Sequence, residues 1–148
     1  MYLVDTNVVS ELARRRPHLA ALAWLESQPT LALSAVTVEE LAFGVARAPA
    51  GQADRLRGWF ERLLAIPPEV IAIDQQIAST AGTLRAERER GGVVMAQADA
   101  LVAATARVTG RVLVTRNTRH FEGCGIPLLN PFVTAPPRAA RRAPARSG

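Results

Sequence analysis

The sequence predicts an α/β domain with a mainly parallel sheet, and two observations support this fold class. Short β-like runs alternate with longer helix-like segments along almost the whole chain, an order that favours parallel strands joined by right-handed crossovers. Capping residues also stand at several expected boundaries between these segments, where they can satisfy the free backbone groups of a helix end.

The predicted elements follow one another without an internal repeat. In chain order they are strand MYLV, helices over residues 6–14 and 18–28, strand LALS, helices over 37–46 and 52–65, strand VIAI, helices over 74–90 and 96–108, and strands RVLVT and PLLN. The expected caps are Asp5 or Thr6 for the first helix, Thr37 for the third and Asp74 for the fifth, with Gly91 and Gly110 as helix stops. Leu56, Trp59, Phe60 and Leu63 recur at helical spacing, which predicts an apolar stripe that faces the core or a partner.

A length of 148 residues suits one domain that buries its core without disulfides. We expect this domain to span residues 1–133. The basic Pro/Ala/Arg tail that follows, residues 134–148, has a composition that favours disorder, with weak attraction to phosphate as the alternative. Four arginines lie in this tail, so most of the formal net charge of +5 belongs to it.

Several absences narrow the function. Cys124 is the single cysteine and cannot form an intrachain disulfide, so a loop or packing role is expected. The chain starts without a signal-peptide pattern and lacks an apolar run of the roughly 20 residues that a membrane helix needs, which favours a cytoplasmic protein. All eighteen basic residues are arginine, which excludes P-loop and Schiff-base chemistry because both need a lysine.

Residues that follow the strands are the first candidates for a site, because the crevice of a parallel sheet lies outside the carboxyl ends of its strands. Asp5 directly follows MYLV, where it can face the crevice or cap the first helix with equal ease. Asn117 follows RVLVT, and its carboxamide suits a water, a phosphate or a metal-bound ligand, although a turn-forming Asn gives the same pattern. The flanking Arg116 and Arg119 can steer a phosphate backbone or be solvated loop charges.

Glu40 is a weaker candidate when taken alone. The spacing Thr37-x-x-Glu40 matches a capping box, in which both side chains satisfy helix N–H groups. The adjacent Glu39 is a rival carboxylate, but neighbours on a helix point about 100° apart, so only one of the two can face a given ligand.

Asp99 is the only charged residue between Gly91 and Ala106. A helix that is apolar on most sides is expected to be buried, and a buried carboxylate costs several kcal/mol unless it is paired or bound to a metal. The alternative, an Asp favoured by the dipole in the first helical turn, gains only about 0.3–1 kcal/mol.

Three carboxylates near one crevice suit a hard divalent cation such as Mg²⁺ or Mn²⁺, which prefers carboxylate oxygens and water. A zinc site is not expected, because His18 and His120 are the only histidines and no Cys cluster exists. For His120 we favour a surface or positioning role.

Taken together, these segments resemble the PIN-domain ribonucleases, in particular the toxins of VapBC-type toxin–antitoxin pairs. The matching pieces are LVDTNVVSEL, LSAVTVEELAFGVA, ADALVAATA and LVTRNTRHFEGCGIPLLNP, which span the chain up to about Phe132. Each piece is weak alone, whereas four in this order with these spacings are specific.

The resemblance implies that Asp5, Glu40 and Asp99 surround Mg²⁺, or Mn²⁺, and cleave RNA, with Asn117 at the fourth corner of the site. Asp5 and Asp99 are the first choices for direct ligands, and Glu40 either ligates the metal or acts through water. Family members often carry a further acid at the position of Asn117 or His120. Neither residue is acidic here, which puts a complete second metal site in doubt.

The same likeness implies a three-layer α/β/α sandwich, a homodimer, and inhibition by a cognate antitoxin whose segment crosses the active site. Metal-assisted hydrolysis of RNA is then the expected reaction. Two alternatives remain: a phosphatase or phosphotransfer domain with Asp5 as nucleophile, and a catalytically weakened PIN-like interaction module. The familiar folds of the phosphatase kind also use a lysine, and none exists here.

Overall fold

The computed structural model describes residues 1–65 and 68–133, and strands and helices alternate through them. The strands are β1 (Tyr2–Val4), β2 (Ala32–Ser34), β3 (Glu69–Ile71), β4 (Val112–Val114) and β5 (Leu128–Leu129). The helices are α1 (Thr6–Val9), α2 (Leu19–Glu26), α3 (Ala35–Ala46), α4 (Ala50–Ala65), α5 (Gln75–Arg90), α6 (Gln97–Thr109) and α7 (Thr118–Phe121). A 3₁₀ turn over Ser10–Ala13 continues α1.

The strands pair in parallel, as the alternation predicted. β4 pairs with β1 on one side and with β5 on the other, and β2 pairs with β3. β2 also lies against β1, so the strands stand in the order β3-β2-β1-β4-β5. Within each of the two sheets, β1-β4-β5 and β2-β3, the strands run the same way, so their carboxyl ends lie at one edge of that sheet.

Two apolar cores lie on the two faces of these strands, because successive residues of a strand face opposite sides. The first core joins Leu3 and Leu113 to α5 and α6, and the second joins Val4 and Val114 to the opposite helices α2 and α4. The expected three-layer α/β/α arrangement is therefore confirmed. Cys124 is buried within the first core, as expected for a packing residue.

Several helix ends agree with the predicted caps. The carboxylate of Asp74 accepts the Ile77 N–H at 2.8 Å and caps α5. Gly110 ends α6 with a φ of 64°, a conformation that an L side chain rarely adopts. Gly91 follows the last residue of α5, also as predicted.

Other boundaries differ from the prediction. The first helix was expected over residues 6–14, but α1 ends at Val9 and gives way to the 3₁₀ turn. The fourth helix begins at Ala50 rather than residue 52. The stripe on α4 faces the protein interior, where Trp59, Phe60 and Leu63 pack against the second core.

None of the helices within the described residues is both long and apolar enough to cross a membrane. The predicted tail, residues 134–148, lies outside the part of the chain that the structure describes.

Candidate active site

Asp5 and Thr115 lie side by side at the carboxyl edge of the strands. Val4 is in register with Val114, and the Asp5 N–H donates to the Val114 carbonyl at 2.9 Å, which extends the pairing by one residue. The Thr115 hydroxyl then donates to Oδ2 of Asp5 at 2.8 Å. The register of two neighbouring strands therefore fixes the orientation of the Asp5 carboxylate.

The Asp5 carboxylate is the most enclosed of the three candidate acids, and the residue is 8% exposed. Its Oδ1 accepts the Thr6 N–H at 2.8 Å, so Asp5 caps α1 while it also faces the site. Burial raises the pKa of Asp5; the hydrogen bonds from Thr115 and Thr6 oppose this, and the Asp99 charge adds to it. The predicted cap is therefore confirmed, and the role of Asp5 in a site stays a prediction.

Glu40 reaches the same place from α3. The predicted capping box is wrong, because α3 begins two residues earlier than expected and Ser34 caps it by accepting the Val36 N–H at 3.1 Å. Glu40 is thus free of the helix end, and its Oε1 accepts the Thr6 hydroxyl at 2.9 Å. The same hydroxyl lies 3.3 Å from that of the buried Thr37.

The electrostatic surroundings of Glu40 connect it with the other two acids. Burial raises its pKa first; the hydrogen bond from Thr6 opposes the shift, and the charges of Asp5 and Asp99 add to it. Glu39, the rival carboxylate, is exposed. The structure therefore places Glu40, and not Glu39, beside Asp5.

Asp99 lies in the first turn of α6 and differs from the expectation of a fully buried acid. Its side chain is 35% exposed, whereas the next residue of the helix, Ala100, is fully buried in the first core. The Nδ1 atom of His120, on α7, lies 3.6 Å from Oδ2 of Asp99, a contact that is an ion pair when the imidazole is protonated. His120 itself is 61% exposed, in keeping with the predicted surface or positioning role.

The donor chemistry of these three acids fits a hard divalent cation, since carboxylate oxygens are the ligands that Mg²⁺ and Mn²⁺ prefer. Within the described residues, none of the three pairs with an arginine. Over the same residues, no three His, Cys, Asp or Glu side chains lie close enough together to hold a metal ion as they stand. Asp5 is bonded to Thr115 and Thr6, Glu40 is bonded to Thr6, and the side chain of Asp99 is partly exposed.

Asn117 stands beside these acids but does not contact them. Its N–H donates to the Thr115 hydroxyl oxygen at 3.1 Å, and its side chain is exposed. A cavity of about 330 Å³ opens here, lined by Arg116, Asn117, Thr118, Arg119, His120 and Asn130. The Arg116 guanidinium lies 4.6 Å from the centre of the Phe132 ring, while Arg119 is exposed.

Sequence reasoning missed the polar residues that orient the acids, namely Thr6, Asn7 and Thr115. The Asn7 amide nitrogen lies 3.4 Å from both Oδ2 of Asp5 and the Thr115 hydroxyl, and its Oδ1 accepts the Arg116 N–H at 3.1 Å. The sequence held a signal for Thr115, because this residue ends the strand run RVLVT in the same way that Asp5 follows the strand run MYLV.

A larger groove of about 920 Å³ leads away from Thr6 and Glu40, between α3, α4 and the 3₁₀ turn. Its apolar lining includes Leu41, Val45, Leu56 and Trp59, and its basic lining consists of Arg14, Arg15, Arg16 and Arg55. The Arg55 guanidinium donates to the Ala13 carbonyl at 2.6 Å and ties α4 to the 3₁₀ turn. The groove is thus apolar and cationic, and one end of it reaches Glu40.

Comparison with known proteins places this fold in one family. The family model described as PIN domain matches residues 2–124. The chain therefore belongs to the PIN domain family.

The chain is also similar to individual proteins of known sequence or structure. The chain is 40% identical to "VapC ribonuclease Y4jK" of Sinorhizobium fredii over 142 residues, which is 91% of this chain and all of that protein. It superposes with a TM-score of 0.83 on "Crystal Structure of FitAcB from Neisseria gonorrhoeae", at 31% identity, covering 90% of this chain and 100% of that one. "Toxin-antitoxin complex from Klebsiella pneumoniae" matches at a TM-score of 0.66 and 31% identity, covering 88% and 98%.

Proposed function

We propose that this chain is a metal-dependent endoribonuclease and the toxin of a type II toxin–antitoxin pair. The observation that carries the proposal is that Thr6 bonds to both Asp5 and Glu40, and that the charge of Asp99 acts on both of these acids. Relatives named as a VapC ribonuclease and as a toxin–antitoxin complex support the reaction and its setting.

Asp5 and Asp99 are the proposed direct ligands of Mg²⁺, with Mn²⁺ as the alternative ion. Asp5 is already aimed by Thr115, which leaves little reorganisation for binding. A cation would also offset the mutual repulsion that adds to the raised pKa of Asp5 and of Glu40. When bound, such an ion lowers the pKa of a water molecule and neutralises charge that builds on a phosphoryl oxygen.

Glu40 is the proposed proton acceptor for the attacking water. Its Oε1 is held by the Thr6 hydroxyl, so the carboxylate keeps one orientation toward the crevice. Burial raises its pKa, which brings a carboxylate closer to the operating pH and makes it a better general base. Asn117 and His120 add no carboxylate, so one metal ion, rather than two, is the proposal.

Divalent ions themselves give the first experiment. Mg²⁺ or Mn²⁺ at about 100 times its dissociation constant should stabilise the folded chain by about 2.7 kcal/mol. The melting temperature of wild-type protein is expected to rise accordingly, whereas Asp5→Asn and Asp99→Asn should show no rise. A rise of equal size in both variants would place the ion elsewhere.

RNA cleavage gives the second experiment. Purified chain, freed of any bound partner, should cleave RNA with Mg²⁺ or Mn²⁺ and should stop when EDTA is added. Asp5→Asn and Asp99→Asn are expected to lower the rate by at least about 100-fold, since even outer-shell partners of a metal ligand are worth about 10–100-fold. Asp54→Asn, an exposed acid on α4, is the matched control. Cleavage that survives both site variants would overturn the proposal.

The groove beside Glu40 is the proposed seat of the antitoxin. Its floor suits apolar side chains and its arginines suit acidic ones, and an arginine from the antitoxin would match the Glu40 carboxylate at the inner end. Arg15→Glu together with Arg16→Glu should weaken binding of the cognate antitoxin by at least about tenfold. Arg90→Glu, on the last turn of α5, is the control, and an unchanged affinity in the double variant would exclude the groove.

Homodimerisation is proposed on the strength of the family likeness. Phe43 and Val94 are exposed apolar side chains that a second copy could cover. Sedimentation of the purified chain should give twice the monomer mass, and a monomer at all concentrations would exclude the dimer.

A further inference from the structure

We propose that the cavity beside Asn117 holds the base of one nucleotide next to the cleaved phosphodiester, and that the Asn117 carboxamide reads this base. The cavity is the one of about 330 Å³ lined by residues 116–120 and Asn130. This inference rests on the proposed ribonuclease function and adds a residue that determines sequence preference.

The location of the cavity supports this assignment. The Asn117 N–H donates to the Thr115 hydroxyl oxygen, and that hydroxyl donates to Asp5. Two consecutive hydrogen bonds through Thr115 therefore connect Asn117 to the most enclosed of the three acids. His120 also lines this cavity, and its Nδ1 atom lies 3.6 Å from Oδ2 of Asp99. A strand cut at the acids therefore passes its neighbouring nucleotide into this cavity.

Asn117 has the free hydrogen-bonding group that base reading needs. The other amide of the cavity is occupied, because Asn130 donates to the Arg116 carbonyl at 3.3 Å and accepts the Phe132 N–H at 3.0 Å. The Asn117 side chain does not cap α7 and forms no hydrogen bond with the residues that the structure describes. A carboxamide offers both donors and acceptors, which is what the edge of an unpaired base requires.

Arg116 supplies a flat cationic surface on a fixed backbone. Its N–H donates to Oδ1 of Asn7 and its carbonyl accepts from Asn130, so the loop is held on both sides. Its guanidinium already stacks on the Phe132 ring. Guanidinium planes stack on splayed bases of single-stranded RNA, and a loop that is ordered in advance loses little entropy on binding.

The chemistry of the lining selects the class of ligand. Two arginines and an amide favour a phosphate with an attached base, and the lining includes no acidic side chain. A volume of about 330 Å³ is at the small end for ligand sites, which fits one extruded nucleotide and not a helix. Unpaired RNA is therefore the proposed substrate at this position.

A pool of single-stranded oligoribonucleotides with randomised central positions tests the inference. Wild type, Asn117→Ala and the control Gln76→Ala, an exposed amide on α5, are each incubated with the pool and Mn²⁺, and the cut positions are sequenced. In parallel, Asp5→Asn and Asp5→Asn/Asn117→Ala are used without metal to select binders from the same pool. Asn117→Ala should fold normally, because its φ of −96° suits alanine and no side-chain bond is lost.

The expected result is a base preference at one position next to the cut in wild type and in Gln76→Ala. In Asn117→Ala the ratio of kcat/KM between the preferred base and the others should fall by about tenfold, whatever the change in the overall rate. Tenfold corresponds to about 1.4 kcal/mol, within the range for reading one base. The binding selection should lose the same preference in the double variant.

Three outcomes would overturn the inference. The preference can persist in Asn117→Ala, or wild type can cut without any preference; in both cases the ribonuclease function stands and the base-reading role falls. Asn117→Ala can instead weaken binding of the antitoxin and leave the RNA preference intact, which would assign the cavity to the partner. If wild type cuts no RNA, the proposed function fails, and the binding selection still tests the inference. In that case, the same base preference in the RNAs selected by Asp5→Asn and by Asp5→Asn/Asn117→Ala would refute it.

Discussion

The Thr115 hydroxyl donates to Oδ2 of Asp5 across 2.8 Å, although 110 residues separate the two in the chain. The contact exists because β1 and β4 run in parallel with Val4 opposite Val114. The segment that follows each strand does not by itself fix the side chain of either residue. The register of the strands therefore aims the carboxylate on which the proposed metal site depends.

Replacing this hydroxyl should affect both stability and activity. Thr115→Val keeps the shape but removes the donor, and Oδ2 of Asp5 then has only the 3.4 Å contact with Asn7. Unfolding should become easier by about 2 kcal/mol, since hydrogen bonds to charged groups are worth about 1.5–3 kcal/mol. The bond from Thr115 lowers the pKa of Asp5, so its loss should shift the acid limb of the pH–activity profile to higher pH. Thr115→Ser, which keeps the hydroxyl, should retain the wild-type profile, and a profile unchanged in Thr115→Val would contradict the role.

The buried charge of Asp5 should lower stability at neutral pH. Burial raises the pKa of Asp5 in the folded chain, so the folded state holds the proton more readily than the unfolded state does. This loss of stability is absent below the pKa that Asp5 has in the unfolded chain. It grows as the pH rises through the raised pKa of the folded chain, and it is complete above that value. Without divalent ions, Asp5→Asn should therefore melt about 2–4 °C above wild type at pH 7, the shift that about 1 kcal/mol gives in a domain of this size.

The gain from Asp5→Asn should shrink as the pH falls through the raised pKa of the folded chain toward the unfolded value, because the wild-type carboxyl becomes neutral as well. Calorimetry between pH 4 and pH 8 measures this, with Asp54→Asn as the exposed control. A variant less stable than wild type at pH 7 would show that the ionised carboxylate is stabilising.

The alternation of segments was sufficient to predict the parallel sheet, because a strand followed by a helix has few ways to pack back onto its own sheet. The site was harder to predict, since each acid also had a local explanation. Glu40 had a capping box that fails only because α3 begins at Ala35, and a boundary shift of two residues is beyond what propensities resolve. The position of Thr115 at the end of its strand run marked it as a candidate, but its pairing with Asp5 depends on strand register, which packing across the whole sheet decides.

The revised start of α3 leads to its own prediction. Ser34 accepts the Val36 N–H at 3.1 Å and caps the helix, so Ser34→Ala should cost about 1 kcal/mol of stability. Thr37 is buried without a capping bond, so the isosteric Thr37→Val should cost less. Urea titrations of the two variants measure both, and a larger loss for Thr37→Val would restore Thr37 as the cap.

Arg119 is the cation best placed to meet the phosphate backbone, because it is exposed on the wall of the Asn117 cavity, whereas Arg116 is stacked on Phe132. In the Asp5→Asn background, which should bind single-stranded RNA without cutting it, Arg119→Ala should weaken binding equally for all sequences. The slope of log K against log salt should become shallower by about 0.7, the value of one phosphate contact on a single strand. Arg85→Ala, an exposed arginine on α5, should leave the slope unchanged. Because a stacking or purely structural role would alter affinity without altering the number of released counterions, an unchanged slope in Arg119→Ala would remove Arg119 from the RNA path.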